Sequence, residues 1–117
     1  MSIMNALASV AVKDLNVAAK WYEKLFDRPP SRPMPEVAEW CFERGGWLQV
    51  YQLPERAGSG SFTLAVNDLD AEVRRLESLN IGPGQRSDGK AVKTLMITDP
   101  DGNHIAFAQA IDPRLAQ

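Results

Sequence analysis

The chain has 117 residues, of which 44% are hydrophobic and 24% charged, the size and composition of one globular domain with a core that needs neither disulfides nor metals. Its formal net charge is −2 and Lys and Arg are scattered along it, so it lacks the basic footprint of a nucleic-acid or anionic-membrane binder. Residues 1–5 show no basic region leading into an apolar one, and no apolar run approaches the ~20 residues that span a bilayer; the cytoplasm is the expected location, without membrane or nucleic-acid partners.

In chain order, Leu7 to Val12 reads as a strand with Ala8, Val10 and Val12 on one face. Asn16 offers a side-chain cap for a helix running to about Asp27, in which Val17, Trp21 and Leu25 recur at helical spacing and would face a sheet. Pro29, Pro30, Pro33 and Pro35 end that helix and form an extended connection. Ala38, Trp40 and Phe42 alternate along a second strand. Cys41 is the chain's only cysteine, so neither an intrachain disulfide nor a thiolate cluster can form, and its apolar surroundings predict a buried structural thiol. Arg44-Gly45-Gly46 supplies a turn, and Trp47 to Leu53 a third strand.

The polar, Gly- and Pro-rich segment 54–60 reads as a linker. Ser61 to Val66 is then a strand, and Asp70 can cap a second helix with Val73, Leu76 and Leu79 on one face and Gly82 just past its end. Pro83 to Lys90 is a turn-rich loop with room for a short strand. Lys93 to Thr98 and His104 to Gln109 make a closing hairpin whose turn, Asp99-Pro100-Asp101-Gly102, has Pro presetting φ and Gly accepting a positive φ. The tail after Asp112 carries little pattern and is expected to fray.

The chain is written twice. Ser9-Val-Ala-Val-Lys-Asp-Leu15 returns as Thr63-Leu-Ala-Val-Asn-Asp-Leu69, and in that register Asp14 matches Asp68, Glu23 matches Glu77, and Leu25 matches Leu79. Repetition across a strand and a helix predicts a duplicated βαββ-type module. The organisation expected is a single domain, 1–117, with module 1 at about 5–54, the linker at 54–60, module 2 at about 61–110 and a tail at 111–117.

A strand ending in Val-x-Asp-Leu, an amphipathic helix and a hairpin closed by Asp99-Pro-Asp-Gly-Asn103 together resemble the glyoxalase, bleomycin-resistance and extradiol dioxygenase (vicinal-oxygen-chelate) superfamily, from about Leu7 to Gln109. The resemblance implies an α+β fold: two tandem βαβββ modules whose mixed sheets curl into a cup, with the helices outside. It also implies a homodimer, often with the cup completed across the interface. The competing architecture is a ferredoxin-like βαββαβ domain, against which the extra hairpin after the second helix counts.

In the family's metalloenzymes a divalent ion is held by four strand positions, typically His, Glu or Gln. Those positions fall here on Leu7, Gln49, Ser61 and Ala106. Leu and Ala have no lone pairs, a Ser hydroxyl is a poor neutral ligand, and one amide cannot hold a metal. The expectation is a metal-less member with no cofactor and no metal-dependent lyase or dioxygenase activity. His104, the only histidine, lies two residues before a ligand position. It reads either as a partly exposed hairpin residue or as an acid-base group at the cup's edge.

Alternation places Trp47, Gln49 and Tyr51 on the cup face, with Leu48, Val50 and Leu53 toward the core. By the repeat register Leu7, Ser9, Ser61 and Thr63 share the cup face, as do His104, Ala106 and Ala108. Trp40 and Phe42 are candidate additions whose facing is open, and Thr94 and Met96 are candidate neighbours. Aromatic walls with a few polar groups suit an organic ligand, unless Trp40, Phe42 and Trp47 plug the cup as core. Three functions follow: a protein that sequesters a small aromatic compound, as in resistance; a metal-independent isomerase or lyase with His104 as acid-base group; or a structural or regulatory dimer with no small ligand.

Overall fold

The computed structural model describes residues 1–117. In chain order it contains β1 (Ala8–Val12), α1 (Leu15–Phe26), β2 (Ser31–Met34), β3 (Val37–Cys41), β4 (Trp47–Gln52), a 3-10 turn at Pro54–Arg56, β5 (Ser61–Ala65), α2 (Leu69–Ser78), β6 (Gln85–Asp88), β7 (Val92–Thr98) and β8 (His104–Ala110).

Both repeats turn from strand to helix in the same way. Asp14 is extended at φ −133°, and its carboxylate accepts from the Asn16 and Val17 amides at 3.0 and 3.3 Å. Asp68 is extended at φ −143°, and its carboxylate accepts from the Ala71 amide at 3.1 Å. The caps are therefore these two aspartates, two residues earlier than Asn16 and Asp70. An N-cap must lie outside the helix and reach forward to its free amides, and Asn16 and Asp70 already sit in the first turn. The next amides, of Leu15 and Leu69, donate to the Gln52 and Gln109 side chains at 2.9 and 2.8 Å. One glutamine at the end of each module's last strand thus satisfies the first helical N–H of that module.

The face that α1 buries is rotated from the expected stripe. Leu15, Ala18, Ala19, Tyr22 and Leu25 are buried, Trp21 is half-buried, and Val17 is 60% exposed. On α2, Leu69 and Leu76 are buried and Val73 packs partly against the core.

The strands form two four-stranded mixed sheets of the same order, β1-β4-β3-β2 and β5-β8-β7-β6. In each, the first strand pairs parallel with the last, and the remaining pairs are antiparallel. Three strands follow each helix, which is the βαβββ module and not the ferredoxin-like alternative. The Pro29–Pro35 connection contains the edge strand β2, where Pro33 costs no ladder bond that the sheet needs. The 83–90 loop likewise contains β6.

The helices cover one face of each sheet, and the core lies between. Trp40 is 1% exposed there. Its ring centroid lies 5.4 Å from Phe26 and 6.0 Å from Tyr22, and its indole N–H donates to the Arg28 carbonyl at 2.9 Å. Phe42 packs edge-on against Phe26 at 5.3 Å, with the Arg28 guanidinium over its outer face.

The two modules touch along β1 and β5 and are fastened by the closing turn of the second. Asp99 and Asn103 are the only buried polar residues of the chain. The Asp99 carboxylate accepts from the Tyr22 hydroxyl at 2.7 Å, from the Asn103 side-chain amide at 2.8 Å, and from the Asp101 and Asn103 backbone amides at 2.9 Å. Asn103 also donates to the Ala11 carbonyl and accepts from the Gly60 amide, both at 2.9 Å. A helix, a strand and the linker of the first half are thus tied to one turn of the second. Gly102 supplies that turn's positive φ of 96°. Gly58, at φ 89°, passes so close to the Asp101 carbonyl that a Cβ would collide with it.

Burial, and secondarily the charge and hydrogen bond of Asp99, push the Tyr22 phenol far above its ordinary value. The raised value favours the neutral phenol in the fold. Its contribution is complete below the unfolded pKa of about 10 and is lost as pH rises beyond it. Urea titrations between pH 8 and 11.5 should therefore show the native chain losing up to about 1.4 kcal/mol per pH unit more than Tyr22→Phe above pH 10. Parallel curves for the two proteins would show that Tyr22 ionises freely in the fold.

Candidate functional site

Strand alternation divides the aromatic residues between the two faces. The rings of Tyr22, Phe26, Trp40, Phe42 and Phe62 form one cluster on the helix side. Trp47 and Tyr51 lie on the opposite, concave face with Ser9 and Gln49. On β4 they alternate with Leu48 and Val50, which are buried against α1's side of the sheet. Trp40 and Phe42 therefore do not reach the cup. Trp40 pairs with Leu48 across the β3–β4 ladder and shares its face, so the phase of β3 is set by the Tyr22–Phe26 cluster.

The same phase turns Val37, Glu39 and Cys41 to the concave face. Cys41 is exposed there, not buried, because Trp40 takes the core position beside it. From the second module the concave face receives Ser61 and Thr63 of β5, Thr94 and Met96 of β7, and His104, Ala106 and Ala108 of β8. They are placed by the pairs Ser61–His104, Thr63–Ala106, Met96–Ala106 and Thr94–Ala108. Leu7 stands at the open end of β1, half exposed. The molecule measures 43 × 41 × 25 Å, and the concave face is shallow and open: Trp47 and Met96 are each 37% exposed.

The polar groups of the first module's concave floor are connected. The Ser9 hydroxyl donates to the Gln49 side-chain carbonyl at 3.1 Å, and the Gln49 amide donates to the Glu39 carboxylate at 2.6 Å. Beside this line lies a depression of about 370 Å³ bordered by Ser9, Met34, Glu36, Val37, Gln49 and Tyr51. Glu39 had no sequence signal beyond its position, out of phase with Trp40, because either phase of Val37–Cys41 presents alternating residues. A larger hollow of about 460 Å³ lies on the other side of the second sheet, between the end of α2 and β6–β7, against Glu77, Ile81 and Arg86. None of the candidate ligand-binding residues lines it.

The positions at which the resemblance implies metal ligands do not suit a divalent ion. Leu7 and Ala106 carry no donor atom, Ser61 offers one neutral hydroxyl, and the Gln49 carbonyl is engaged by Ser9. No group of three or more His, Cys, Asp or Glu side chains converges elsewhere in the chain. His104 is exposed at the hairpin end, and its cross-strand neighbours are Ser61 and Thr98. Neither is a carboxylate that could orient an imidazole for proton transfer.

Comparison with solved structures agrees with this architecture. A glyoxalase/bleomycin resistance protein from Catenulispora acidiphila DSM 44928 superposes with a TM-score of 0.82 at 33% identity, over 92% of this chain and 99% of the other. TnmS3, an antibiotic-binding protein from Streptomyces sp. CB03234, gives 0.81 at 24% identity, over 94% and 98%. A bleomycin-binding protein complexed with bleomycin gives 0.69 at 20% identity, over 92% and 98%. The last two likenesses speak for the fold alone. No curated protein matched the sequence. A family model matches residues 4–107, which take in both repeats and the Asp99–Asn103 turn, and the chain belongs to the Glyoxalase/Bleomycin resistance protein/Dioxygenase superfamily.

Proposed function

We propose that this protein binds a small aromatic organic compound in a metal-free cup and acts by holding it, as in sequestration or resistance. The observation that carries the reading is the sorting of the aromatic side chains. The helix-side core takes Trp40 and Phe42 and is complete without Trp47, which stands on the concave face 37% exposed. Trp47, Tyr51 and Met96 supply apolar contact, while Gln49, Ser61, Thr63 and His104 offer sparse polar groups, with small Ala106 leaving room. That is the make-up of an organic-ligand site. The donor-poor set Leu7, Gln49, Ser61 and Ala106 supports the metal-free part of the proposal. The antibiotic-binding and bleomycin-bound proteins of the same fold are in keeping with it.

The proposal includes one domain built of modules at about 5–54 and 61–110, and a second copy that deepens the cup. Leu7, Met34, Trp47 and Met96 are exposed apolar side chains, and a shallow apolar face gains from burial by a symmetric partner. No helix is long and apolar enough to cross a membrane, and a cytoplasmic site of action is part of the same reading. The isomerase or lyase alternative lacks comparable support, since His104 has no orienting partner.

The test is titration with a panel of planar aromatic compounds, followed by tryptophan fluorescence and, independently, by calorimetry. At least one compound should bind the native protein and bind Trp47→Ala at least about tenfold more weakly, the loss expected for a central aromatic anchor. A panel silent by calorimetry, with the protein dimeric through its concave face, would overturn the proposal in favour of a structural dimer.

A further inference from the structure

On the cup-facing positions of β1, β3, β4, β5, β7 and β8, Glu39 is the only formally charged side chain at neutral pH. Gln49 is its one hydrogen-bond partner, and none of the chain's ion pairs includes it. An ionised carboxylate has about four acceptor sites, so most of its capacity faces the cup. Its neighbours do not neutralise it. On the adjoining edge strand Ser31, not Arg32, lies opposite Glu39, and the Arg32 guanidinium donates to the Pro35 carbonyl at 2.9 Å. Glu36, at the rim of the neighbouring depression, adds a second negative charge.

The arrangement around Glu39 is also oriented. Ser9 donates to the Gln49 carbonyl, which turns the Gln49 NH₂ toward Glu39 and holds the carboxylate on the floor. Trp47 and Tyr51, on either side of Gln49 along the same face of β4, present aromatic groups next to it. A carboxylate with aromatic side chains at both diagonal positions of the neighbouring strand is complementary to a cation on an aromatic frame. The carboxylate meets the charge, and the ring quadrupoles add cation–π attraction. A neutral ligand would leave Glu39 partly desolvated without compensation, and an anionic one would be repelled.

We propose that the compound held in the cup carries a cationic group, an ammonium, amidinium or guanidinium, which docks on the Glu39 carboxylate while its ring system lies against Trp47 and Tyr51. This rests on the reading that the cup binds an aromatic compound. It adds the charge class of that compound and assigns Glu39 as the residue that selects it.

A matched trio of probes separates the two claims: 9-(aminomethyl)anthracene, cationic at pH 7; 9-anthracenemethanol, neutral; and 9-anthracenecarboxylate, anionic. The native protein should bind the amine about tenfold more tightly than the alcohol, the scale of one partly screened charge pair, and the carboxylate most weakly. The preference should shrink as salt is raised. Glu39→Gln should abolish the preference by weakening the amine and not the alcohol, because a Gln at this position can still accept from Gln49 and has no charge to desolvate, and Glu39→Asp should restore part of it. Equal binding of all three probes by the native protein, or a preference unchanged in Glu39→Gln, overturns the assignment of Glu39 and leaves the aromatic-binding cup standing. Failure of every probe to bind removes the cup reading itself and this inference with it. Thermal melts of the variants distinguish lost selectivity from lost fold.

Discussion

Asp99→Ala is expected to destabilise the protein by about 3–5 kcal/mol, the cost of removing a buried charge from partners that have no substitute. Four donors converge on this carboxylate, from the Tyr22 hydroxyl, the Asn103 side chain and the backbone amides of Asp101 and Asn103. Its removal leaves the Tyr22 hydroxyl buried without a partner at the contact between the two halves. Asn103→Ala should act in the same direction, since Asn103 is fully buried and also holds the Ala11 carbonyl and the Gly60 amide. Urea denaturation monitored by circular dichroism measures both effects. Early loss of only one half's signal in Asp99→Ala would show that the turn couples the modules, and a loss below about 1 kcal/mol would place the network outside the stability-determining core.

The second large effect separates two tryptophans only seven positions apart. Trp40→Ala should cost about 3–5 kcal/mol, as expected for emptying a buried aromatic site. The indole is 1% exposed and closes the ring cluster formed with Tyr22 and Phe26. Trp47→Ala should change stability by less than about 1 kcal/mol, as for a surface position. The burden is reversed for ligand: Trp47→Ala weakens binding by the tenfold or more given above. A Trp40 variant folded at low temperature keeps its concave face. Reversal of this pattern, with Trp47 critical for folding and Trp40 for binding, would mean that the faces of the first sheet have been exchanged.

The parts of this structure that could be read from the sequence are those governed by local pattern. The two Val-x-Asp-Leu corners, the alternation of Trp47, Gln49 and Tyr51 against Leu48 and Val50, and the Asp99–Gly102 turn all depend on residues within a few positions of one another. The duplicated register extended this to a βαββ unit in each half, and the third strand of each module came from the family resemblance alone. Features that depend on distant contacts were not legible. The phase of β3 is decided by Tyr22 and Phe26 of α1, so Trp40 and Phe42 could not be assigned to a face, and Glu39 and Cys41 passed without notice as cup residues. Val17 fits the helical stripe as well as Tyr22 does, but the short side chains of Ala18 and Ala19 bring their own face of the helix to the sheet. Asp99 and Asn103 have the chemistry of an exposed turn, and their burial follows from partners 77 and 92 residues away. Gln52 and Gln109 look like ordinary strand ends until each is seen to receive the first helical amide of its module.

Whether the cup holds an aromatic compound without a metal ion is decided by one titration in two arms. The protein is stripped exhaustively with chelator, and binding of the best aromatic compound from the panel is measured by calorimetry with and without added Zn²⁺, Mn²⁺ or Ni²⁺. One affinity, within about twofold, is expected in both arms, because Leu7, Gln49, Ser61 and Ala106 offer the ion no donor set. Binding that appears only when a divalent ion is restored would contradict a metal-free cup.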